Sequence, residues 1–535
     1  MKPHSVFVTL AIEISVFTFF ISARRTDTIF SRIHSCALQG IHGAIVDVEV
    51  DVRNQGLPAF DLVGLPDAAV REARERVTLA IKNSAVAFPE HRIVVNLAPA
   101  DVRKEGSAFD LAIAIGLMIS SGQVAAGALE RAMLVGELSL DGQLRPVPGV
   151  LSMAISAKEQ GYDQLYLPLA NAPEAALLTG ITIYAFHTLK EVLDHLNAKC
   201  LVAPYQGDAK QGESDYGHDF TDIQGQQAAK RALEIAAAGG HNVMMIGGPG
   251  AGKTLMARSL PSILPRLSFE ESLQITQIYS VASLLKTQGA LLSERPFRAP
   301  HHTISHAGLI GGGSNPRPGE VSLAHHGVLF LDELPEFRRD VLELLRQPLE
   351  DRQVTIARVS ATYTFPASFM LVASMNPCPC GFLGDSRQEC SCRESEIRRY
   401  QNRISGPLLD RIDLQVEVPR LSYEELNGHV SSEPSRSIRV RVEQARERQR
   451  QRLGPELFCN AQMHGKLVRT FCKPTSAAAQ LLQRSFDKLH LTARAHDRVL
   501  KVARTIADLE GSVHIDVAHI AEAIGYRSLD KRYFG

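Results

Sequence analysis

The chain has 535 residues, in which 58 lysines and arginines are balanced by 58 aspartates and glutamates. That length predicts about three to five domains, each able to bury its own core. Hydrophobic residues at 45% and charged residues at 22% exclude a disordered, fibrous or polytopic membrane protein. The zero formal net charge excludes a globally basic nucleic-acid coat, but it permits a local basic patch or a basic pore.

The first 29 residues form an apolar extension that differs from the rest of the chain. Residues 5–22 are almost wholly apolar apart from Glu13, and Arg24 and Arg25 follow them. Such a segment is barely long enough to cross a bilayer, and its central carboxylate would be costly there. Three interpretations stay open: a membrane anchor or uncleaved signal, a buried or disordered extension, and sequence upstream of the native start. We favour the last, because domain patterning begins only near Ile29.

Residues 30–200 have the pattern of an α/β domain. Alternating or continuous apolar runs predict strands, and apolar residues at helical spacing predict helices. The predicted elements are strands at 44–52 and 92–97 and helices at 68–83 and 110–121. The polar stretch at 201–218 has no periodicity and predicts a linker to the next domain.

A glycine-rich motif marks the start of a second α/β domain, predicted at 219–430. Its residues are Gly247, Gly248, Pro249, Gly250, Ala251, Gly252, Lys253 and Thr254. The motif follows an apolar strand at 243–246 and precedes a helix-compatible segment, which is the setting of a P-loop. Glycines let backbone N–H groups surround phosphate oxygens. We therefore expect Lys253 to pair with the β- and γ-phosphates of ATP and the Thr254 hydroxyl to bind Mg²⁺.

Polar residues follow two further predicted strands. Asp332 and Glu333 end an apolar run about eighty residues after the P-loop. In a P-loop protein the first carboxylate completes the Mg²⁺ shell, and the second orients or deprotonates the attacking water. The pair predicts ATP hydrolysis in addition to binding. A strand at 368–374 leads to Asn376, whose amide is suited to sense the γ-phosphate or to hold the attacking water.

Arg411 lies in a short turn before another predicted strand. Two interpretations stay open for it. One is a surface salt bridge with Asp410 or Asp413, which would be favoured if the arginine stood alone. The other is a catalytic role, which the neighbouring nucleotide motifs favour.

Four of the eight cysteines fall within fifteen residues and form two C-x-C pairs. They are Cys378, Cys380, Cys390 and Cys392. Four thiolates on a compact loop can enclose a structural Zn²⁺, and the alternatives are reduced structural cysteines or a redox switch. The other four lack paired spacing and are interpreted as small core residues: Cys36, Cys200, Cys459 and Cys472.

Two segments offer positive charge for DNA. Residues 351–359 alternate like a strand and predict a hairpin that carries Arg352 and Arg358. An arginine-rich helical stretch at 436–452 is a second candidate, although Glu443 and Glu447 favour a solvated face with helical ion pairs. Contacts from such residues would go to phosphates, giving salt-sensitive binding with little sequence preference.

The motifs together resemble a known family. The segments 298–305, 311–314 and 318–326, read with the nucleotide motifs, Asn376 and the LLDRID run around Arg411, are similar to the YifB/ComM family of magnesium-chelatase-like AAA+ ATPases. The resemblance covers roughly residues 30–529. It implies a hexameric, ATP-driven DNA translocase with helicase or branch-migration activity, of the kind that serves natural transformation.

The resemblance also implies roles for individual residues. Arg411 would be the arginine finger that enters a neighbouring subunit's site, and the hairpin with Arg352 and Arg358 would point into the pore of the ring. Arg494 would be the sensor 2 arginine on a C-terminal helical domain, residues 431–535. A finger supplied in trans predicts that hydrolysis needs assembly.

The N-terminal domain resembles the proteolytic domain of Lon through the segments 94–111 and 136–147. Matching residues 104–108 to Lon's nucleophile motif places Ala108 where the serine belongs, and Leu151 stands where the general-base lysine belongs. A Ser–Lys dyad needs an attacking oxygen and a base within hydrogen-bond reach. The sequence therefore predicts a non-proteolytic domain that serves assembly or contacts DNA.

The predicted fold class is α/β multidomain: a Lon-like α/β domain, a P-loop AAA+ core with a parallel sheet, and a C-terminal helical lid domain. The predicted function is a cytoplasmic, ring-forming ATPase motor that acts on single-stranded or branched DNA. It would use ATP and Mg²⁺, with a structural Zn²⁺ and no stable membrane partner. The alternatives are a magnesium-chelatase-like motor subunit and an ATP-dependent remodelling chaperone.

Overall fold

The computed structural model describes residues 30–534 apart from short gaps at 54–56, 126, 128, 208–209, 212–215, 286–289, 314–315, 359–361, 386, 422–431, 455–456, 490–491 and 530–532. The apolar N-terminal segment lies outside the described residues. Within them, no helix is long and apolar enough to span a membrane. The chain divides into two compact units, the first comprising residues up to 210 together with 283–290 and the second comprising 211–282 and 291–535.

The first unit is built on a seven-stranded mixed sheet of order β3-β4-β2-β1-β5-β8-β9. Its strands are β1 (Phe30–Gln39), β2 (His42–Arg53), β3 (Ala59–Val63), β4 (Arg92–Ala98), β5 (Ala132–Leu134), β6 (Glu137–Leu138), β7 (Leu144–Arg145), β8 (Gln164–Pro168) and β9 (Thr182–Phe186). Its helices are α1 (Ala68–Asn83), α2 (Asp110–Ser120), α3 (Val150–Glu159), α4 (Ala172–Ala175) and α5 (Leu189–Leu196). Strands β6 and β7 form a separate hairpin.

Local sequence explains these elements. The valines of β2 are buried at every second position, while acidic residues occupy the positions between them, which is the period of a strand with one buried face. Helix α1 begins after Asp67, whose carboxylate accepts a hydrogen bond of 2.8 Å from the N–H of Val70 and so caps the first turn. The strands and helices predicted in this part of the chain are confirmed, with boundaries shifted by two residues or fewer at each end.

The second unit contains a five-stranded sheet and most of the helices. Its strands are β10 (Val243–Ile246), β11 (Phe297–Arg298), β12 (Gly311–Gly312), β13 (Arg317–Pro318), β14 (Val328–Leu331), β15 (Gln353–Ala357), β16 (Thr362–Pro366), β17 (Met370–Met375) and β18 (Leu414–Glu417). The helices that precede β17 in the chain are α6 (Gln227–Gly239), α7 (Lys253–Ser259), α8 (Phe269–Val281), α9 (His306–Ile310), α10 (Glu320–Leu323), α11 (Arg339–Glu343) and α12 (Arg346–Asp351). The later helices are α13 (Glu394–Gln401), α14 (Gly406–Leu409), α15 (Ser435–Leu453), α16 (Lys466–Phe471), α17 (Ser476–Leu489), α18 (Ala493–Glu510) and α19 (Val517–Gly525).

The sheet of this unit is parallel throughout and separates two cores. Its order is β11-β14-β17-β10-β18, and each neighbouring pair is parallel. Within β10, Val243 and Met245 belong to the core that contains residues of α6, α15 and α18, whereas Met244 and Ile246 belong to the core formed with α9 to α11. A strand buried on both faces needs a continuous apolar run, which explains the sequence of β10. The predicted α/β class with a parallel P-loop sheet is confirmed.

The arginine-rich helix α15 is fixed by contacts within the unit. Arg446 donates to the carbonyl of Ala237 at 3.0 Å, and the amide of Gln449 donates to Ala238 at 3.0 Å, so both satisfy carbonyls in the last turn of α6. Arg452 forms an ion pair with the buried carboxylate of Asp508 on α18 at 2.6 Å. Arg446 and Arg452 therefore hold α15 against α6 and α18, while Arg450 is exposed and pairs with Glu447 at 3.3 Å within the helix, as the helical spacing predicts.

The four cysteines outside the cluster do not share one environment. Cys36, Cys459 and Cys472 are buried, as expected for small core residues. Cys200 is exposed, so the interpretation of that residue as part of the core was wrong. It lies beyond the end of α5, whereas Cys36 and Cys472 belong to hydrophobic cores.

Candidate nucleotide-binding site

The glycine-rich motif joins the end of β10 to the start of α7. A side chain at Gly247 would bring its Cβ within 2.2 Å of the carbonyl oxygen of Val418, so only glycine fits there. Gly250 and Gly252 have φ angles of 77° and 87°, in the left-handed region that favours glycine. The loop therefore has the close backbone approach and the turns that a phosphate-binding loop requires.

Lys253 places its ammonium group inside this loop. Its Nζ donates to the carbonyl oxygen of Gly248 at 2.9 Å and to Oδ1 of Asn376 at 3.1 Å. Burial lowers the pKa of the Lys253 ammonium, and the charges of Asp332 and Glu333 oppose that shift. The structure thus brings together the predicted lysine, asparagine and acidic residues, although they are far apart in the sequence.

Asp332 follows β14 and accepts hydrogen bonds from both sides. The Thr254 hydroxyl donates to its Oδ2 at 3.0 Å, and the backbone N–H of Glu333 donates to its Oδ1 at 3.1 Å. The hydroxyl of Ser374, a fully buried residue of β17, also donates to Oδ1. A hydroxyl and a carboxylate oxygen in contact form the pair that holds Mg²⁺ in P-loop proteins. Ser374 was not predicted, because a serine within a strand carries no motif.

Glu333 occupies an unusual backbone conformation. Its φ is 53°, in the left-handed region, although it is not glycine, and its side chain is exposed. Its N–H also lies 3.3 Å from the Ser374 hydroxyl. Strain of this kind persists where surrounding contacts hold the backbone, and it is concentrated at functional sites. The carboxylate is thereby turned away from the core.

Two cavities flank the P-loop. The first, of about 290 Å³, is lined by residues 249–252, by Arg387 and Arg420, and by residues between 222 and 226. The second, of about 410 Å³, is lined by Thr254, Asp332, Glu333 and the segment 299–302. The second cavity therefore brings the predicted Mg²⁺ ligands and Glu333 together around one space, and His301 and His302 form part of its wall.

Arg411 has a partner that the sequence did not indicate. Its guanidinium forms an ion pair with Glu350 and donates to the carbonyl oxygen of Pro407 at 2.6 Å. Asp413, one of the two partners considered from the sequence, instead pairs with Arg498 at 3.4 Å. Arg411 follows α14 and lines neither of the two cavities within the part of the chain that the structure describes. Arg411 therefore does not lie at the candidate nucleotide site of its own subunit.

Arg494 and Arg498 lie one turn apart on α18 and differ in environment. Arg494 is exposed in the first turn of the helix and is not among the described residues that line either cavity. Burial raises the pKa of Asp413, but its hydrogen bond with His241 and the charges of His241, Arg498 and Lys501 outweigh burial and hold that pKa well below its usual range. The buried Arg498–Asp413 pair thus joins α18 to the start of β18.

The hairpin predicted from residues 351–359 is present as β15 and β16, paired antiparallel. Arg352 lies at its base, half-buried, with a positive φ of 55°. Arg358 lies at the far end of β15, is exposed, and donates to the carbonyl oxygen of Gly313 at 3.0 Å. That oxygen belongs to the turn between β12 and β13, so Arg358 connects two hairpins. The two predicted DNA-contacting arginines therefore occupy opposite ends of the strand.

The four clustered cysteines converge. The Sγ atoms of Cys378, Cys380, Cys390 and Cys392 all lie within 4.8 Å of one another. The Sγ–Sγ separations are 3.4 Å for Cys378 with Cys380 and 3.6 Å for Cys390 with each of these two. Tetrahedral Zn²⁺ with Zn–S bonds of about 2.3 Å places its sulfurs about 3.8 Å apart. The donor set and its spacing therefore fit a closed tetrathiolate metal site.

The positions matched to the protease dyad are buried and apolar. Ala108 is buried, and Leu151 is fully buried, with its N–H donating to Glu174 at 2.9 Å. Neighbouring Ser107 is half-buried, and its hydroxyl donates to the carboxylate of Glu137. The matched positions thus hold no attacking oxygen and no lysine amine.

Comparisons with known proteins agree with this architecture. The family model for magnesium chelatase, subunit ChlI, matches residues 219–426, and those for subunit ChlI of Mg-chelatase and for the ChlI C-terminal region match 48–171 and 432–527. Lon protease 2 of Bacillus subtilis is 31% identical over 143 residues, which are 25% of this chain and 26% of that relative.

Two relatives are similar over nearly the whole chain. Competence protein ComM of Haemophilus influenzae is 44% identical over 504 residues, which are 93% of this chain and 97% of the relative. Protein YifB of Escherichia coli K12 is 43% identical over 503 residues, which are 94% of this chain and 97% of the relative. The chain therefore belongs to the YifB/ComM family of magnesium-chelatase-like AAA+ proteins.

Proposed function

We propose that the protein is an ATP-driven motor that acts on DNA. The observation that carries the ATPase part is the convergence of Lys253, Thr254, Asp332, Glu333 and Asn376 at the ends of three parallel strands. The similarity to a competence protein over 93% of the chain supports the DNA part. Helicase or branch-migration activity is our proposal for that part. ATP and Mg²⁺ are the substrate and cofactor that this constellation fits.

Each residue of the constellation has a separate task. Mg²⁺, when bound, neutralises charge on the β- and γ-phosphates. Thr254 and Asp332 present the oxygens that would hold it, and Lys253 exchanges its carbonyl acceptors for phosphate oxygens. Glu333 orients or deprotonates the attacking water, and Asn376 holds the water or contacts the γ-phosphate. The amide oxygen of Asn376 contacts the Lys253 ammonium, so its side chain lies close to the expected position of the γ-phosphate.

Arg411 acts in trans within this proposal. It lines neither cavity of its own subunit within the described residues. In the proposed ring it would lie beside the next subunit's nucleotide. Arg494 is proposed, from the family resemblance, to be the sensor 2 arginine of the C-terminal helical domain. The assembly would be a hexameric ring in the cytoplasm, with no stable membrane partner.

The cysteine cluster is proposed to bind Zn²⁺ as a structural site. Four thiolates leave no open coordination position, so the metal would fix the fold of the loop and take no part in hydrolysis. The first unit is proposed to be a non-proteolytic platform for assembly or DNA contact, because Ala108 and Leu151 occupy the positions of the dyad.

The arginine at the end of β15 is proposed to contact single-stranded or branched DNA. Arg358 is exposed and is held by the neighbouring hairpin, which suits a phosphate contact. Arg352 is half-buried at the base of β15, so we assign it a supporting contribution.

The proposal is tested by measuring ATP hydrolysis with and without forked DNA, four-way junctions and duplex DNA. Stimulation by DNA is expected, and it should weaken as salt rises, because phosphate contacts release counterions. Absence of both DNA stimulation and DNA binding would contradict the proposal.

A magnesium-chelatase-like motor subunit is the second candidate, because the chelatase family models match three parts of the chain. ATP-dependent insertion of Mg²⁺ into a porphyrin, with the partner chelatase subunits supplied, distinguishes it from a DNA motor. ATP-dependent remodelling of a protein partner without any DNA effect would favour a chaperone.

A further inference from the structure

We propose that the described residues of the cysteine loop, 377–385 and 387–392, build one wall of the nucleotide pocket, and that this loop positions Arg387 and Arg420 to contact the bound nucleotide. The inference rests on the proposed ATPase function and deepens it. The ligand class is a nucleoside di- or triphosphate. The consequence is that the state of the four cysteines sets nucleotide affinity.

The cysteine loop lies directly against the P-loop. A Cβ added at Gly381 would meet Cδ of Pro249 at 2.6 Å, so no side chain larger than hydrogen fits between the two loops. A Cβ added at Gly248 would lie 3.2 Å from the carbonyl oxygen of Gly381. Gly381 has a φ of 85°, which lets the chain turn at this contact. A displacement of the cysteine loop would therefore displace the backbone of the P-loop.

Arg420 links the two loops electrostatically. Its Nε donates to the carbonyl oxygen of Pro249 at 3.3 Å, and its Nη1 lies 3.7 Å from Oδ2 of Asp385. The guanidinium also lies 5.3 Å from the centroid of the Phe382 ring, within cation–π range. Asp385 and Phe382 belong to the cysteine loop, whereas Arg420 follows β18. Two side chains of the cysteine loop therefore hold Arg420 beside the P-loop.

Asp385 also shapes the segment that carries Arg387. Its Oδ1 accepts hydrogen bonds from the backbone N–H groups of Arg387 at 2.8 Å and Gln388 at 3.2 Å. This turn lies between the two C-x-C pairs, so convergence of the four thiolates fixes both of its ends. Disruption of the cluster would release the turn and, with it, the position of Arg387.

Both arginines line the first cavity together with the P-loop. That cavity of about 290 Å³ is bounded by residues 249–252, and among its described lining residues Arg387 and Arg420 supply the positive charge. A guanidinium beside a phosphate-binding loop matches phosphate oxygens in geometry and charge. We infer that the two side chains close over the phosphates or ribose of a nucleotide whose triphosphate follows the P-loop.

The first experiment measures binding of a fluorescent ATP analogue to the full-length protein in Mg²⁺ buffer. Arg420→Ala is expected to weaken binding about tenfold, the scale of one charge-assisted hydrogen bond, and Arg420→Lys to recover part of the loss. Asp385→Asn, which removes the charge that holds Arg420, is expected to weaken binding severalfold. Arg398→Ala is the matched control, because Arg398 is exposed on α13 and pairs only within its helix with Glu394 among the contacts described.

The second experiment joins metal content to affinity. A Cys380→Ser, Cys392→Ser double variant is expected to lose bound zinc and to bind the analogue as weakly as Arg420→Ala. Adding Arg420→Ala to the double variant should weaken binding little further, because both changes act through the same contact. Should the double variant fail to fold, Asp385→Asn carries the test alone, because it leaves all four cysteines in place.

The outcomes separate this inference from the function on which it rests. Unchanged affinity in Arg420→Ala, or unchanged affinity after zinc is lost, overturns the inference while leaving the ATPase proposal intact. A wild-type protein that binds no nucleotide overturns both. A protein that shows the expected affinities but does not respond to DNA supports the inference and contradicts only the DNA proposal.

Discussion

Asp332 is held by three hydrogen bonds at the nucleotide site. It accepts hydrogen bonds from Thr254, from the N–H of Glu333 and from the buried hydroxyl of Ser374. These donors fix both carboxylate oxygens of Asp332, the proposed Mg²⁺ ligand. The same carboxylate also holds the backbone of Glu333, the residue proposed to activate water. Changes at single residues should therefore separate binding, metal affinity and hydrolysis.

Glu333→Gln should abolish ATP turnover while nucleotide binding persists. The amide keeps the shape of the side chain but cannot accept a proton from water, and general-base catalysis typically contributes about 10²–10⁴-fold. Steady-state ATP hydrolysis and equilibrium binding of a fluorescent ATP analogue measure the two effects. Glu336→Gln is the matched control, since Glu336 is exposed three residues later and pairs with Arg403. Turnover at the wild-type rate would remove the assignment of Glu333.

Ser374→Ala should raise the Mg²⁺ concentration needed for half-maximal ATP hydrolysis by about tenfold. Loss of a hydrogen bond to a ligating carboxylate typically lowers metal affinity by about 10–100-fold. Ser322→Ala, at a buried serine outside the site, controls for the loss of a buried hydroxyl. A Mg²⁺ titration that matches the wild type would show that Ser374 has only a structural role.

At the scale of elements, sequence patterns predict the bounds and caps of single elements better than the contacts between elements. The period of two in β2, the run of β10 and the cap at Asp67 are local, so the corresponding strands and helix are predicted within a few residues. The contacts of Arg420 with Pro249 and of Thr254 with Asp332 join residues 171 and 78 positions apart. The Thr254–Asp332 pair was predicted because two motifs mark it, whereas Arg420 carries no motif.

The same distinction explains the corrections. The ion pair of Arg411 with Glu350 crosses 61 positions, whereas the ion-pair alternative drawn from the sequence named only the neighbours Asp410 and Asp413. Arg446 and Gln449 of α15 donate to carbonyls of α6, which the helical spacing does not indicate, whereas Arg450 forms the pair with Glu447 that this spacing predicts. Long side chains select partners that the fold supplies, and a helical period does not encode those partners.

Arg358→Ala should reduce DNA-stimulated ATP hydrolysis and leave the basal rate close to that of the wild type. Loss of one phosphate contact is expected to lower the salt dependence of DNA binding by about one counterion. Fluorescence anisotropy with a labelled single strand across a salt series measures that slope. Arg450→Ala is the matched control, because Arg450 is an exposed arginine paired with Glu447 on α15. An unchanged slope would exclude a phosphate contact by Arg358.

At the scale of the whole molecule, the proposed action of Arg411 in trans predicts that hydrolysis requires assembly. The arginine is held by Glu350 and Pro407 and lines neither cavity of its own subunit within the described residues. A finger supplied to a neighbour is typically worth about 10³–10⁵ in rate. The balanced charge of the chain is compatible with a ring whose phosphate-binding arginines face inward.

Mixing an Arg411→Ala variant with a Lys253→Ala variant should restore part of the hydrolysis that each lacks alone. The second variant retains its arginine and can complete the nucleotide site of the first. Glu350→Gln distinguishes two roles of Arg411, that of an arginine finger and that of a structural ion-pair partner. It should leave hydrolysis largely intact if Arg411 acts on a neighbouring subunit. Co-assembly is verified by mass photometry, and the absence of rescue in mixed assemblies would contradict a trans-acting finger.

The central claim is that ATP hydrolysis moves this protein on DNA, and branch migration of a labelled four-way junction measures it most directly. The wild-type protein with ATP and Mg²⁺ is expected to convert the junction into duplex products. Glu333→Gln with ATP, and the wild type with a non-hydrolysable analogue, are expected to bind the junction without converting it. Active ATP hydrolysis that leaves junctions, forks and single strands unchanged under conditions where they bind would contradict the account.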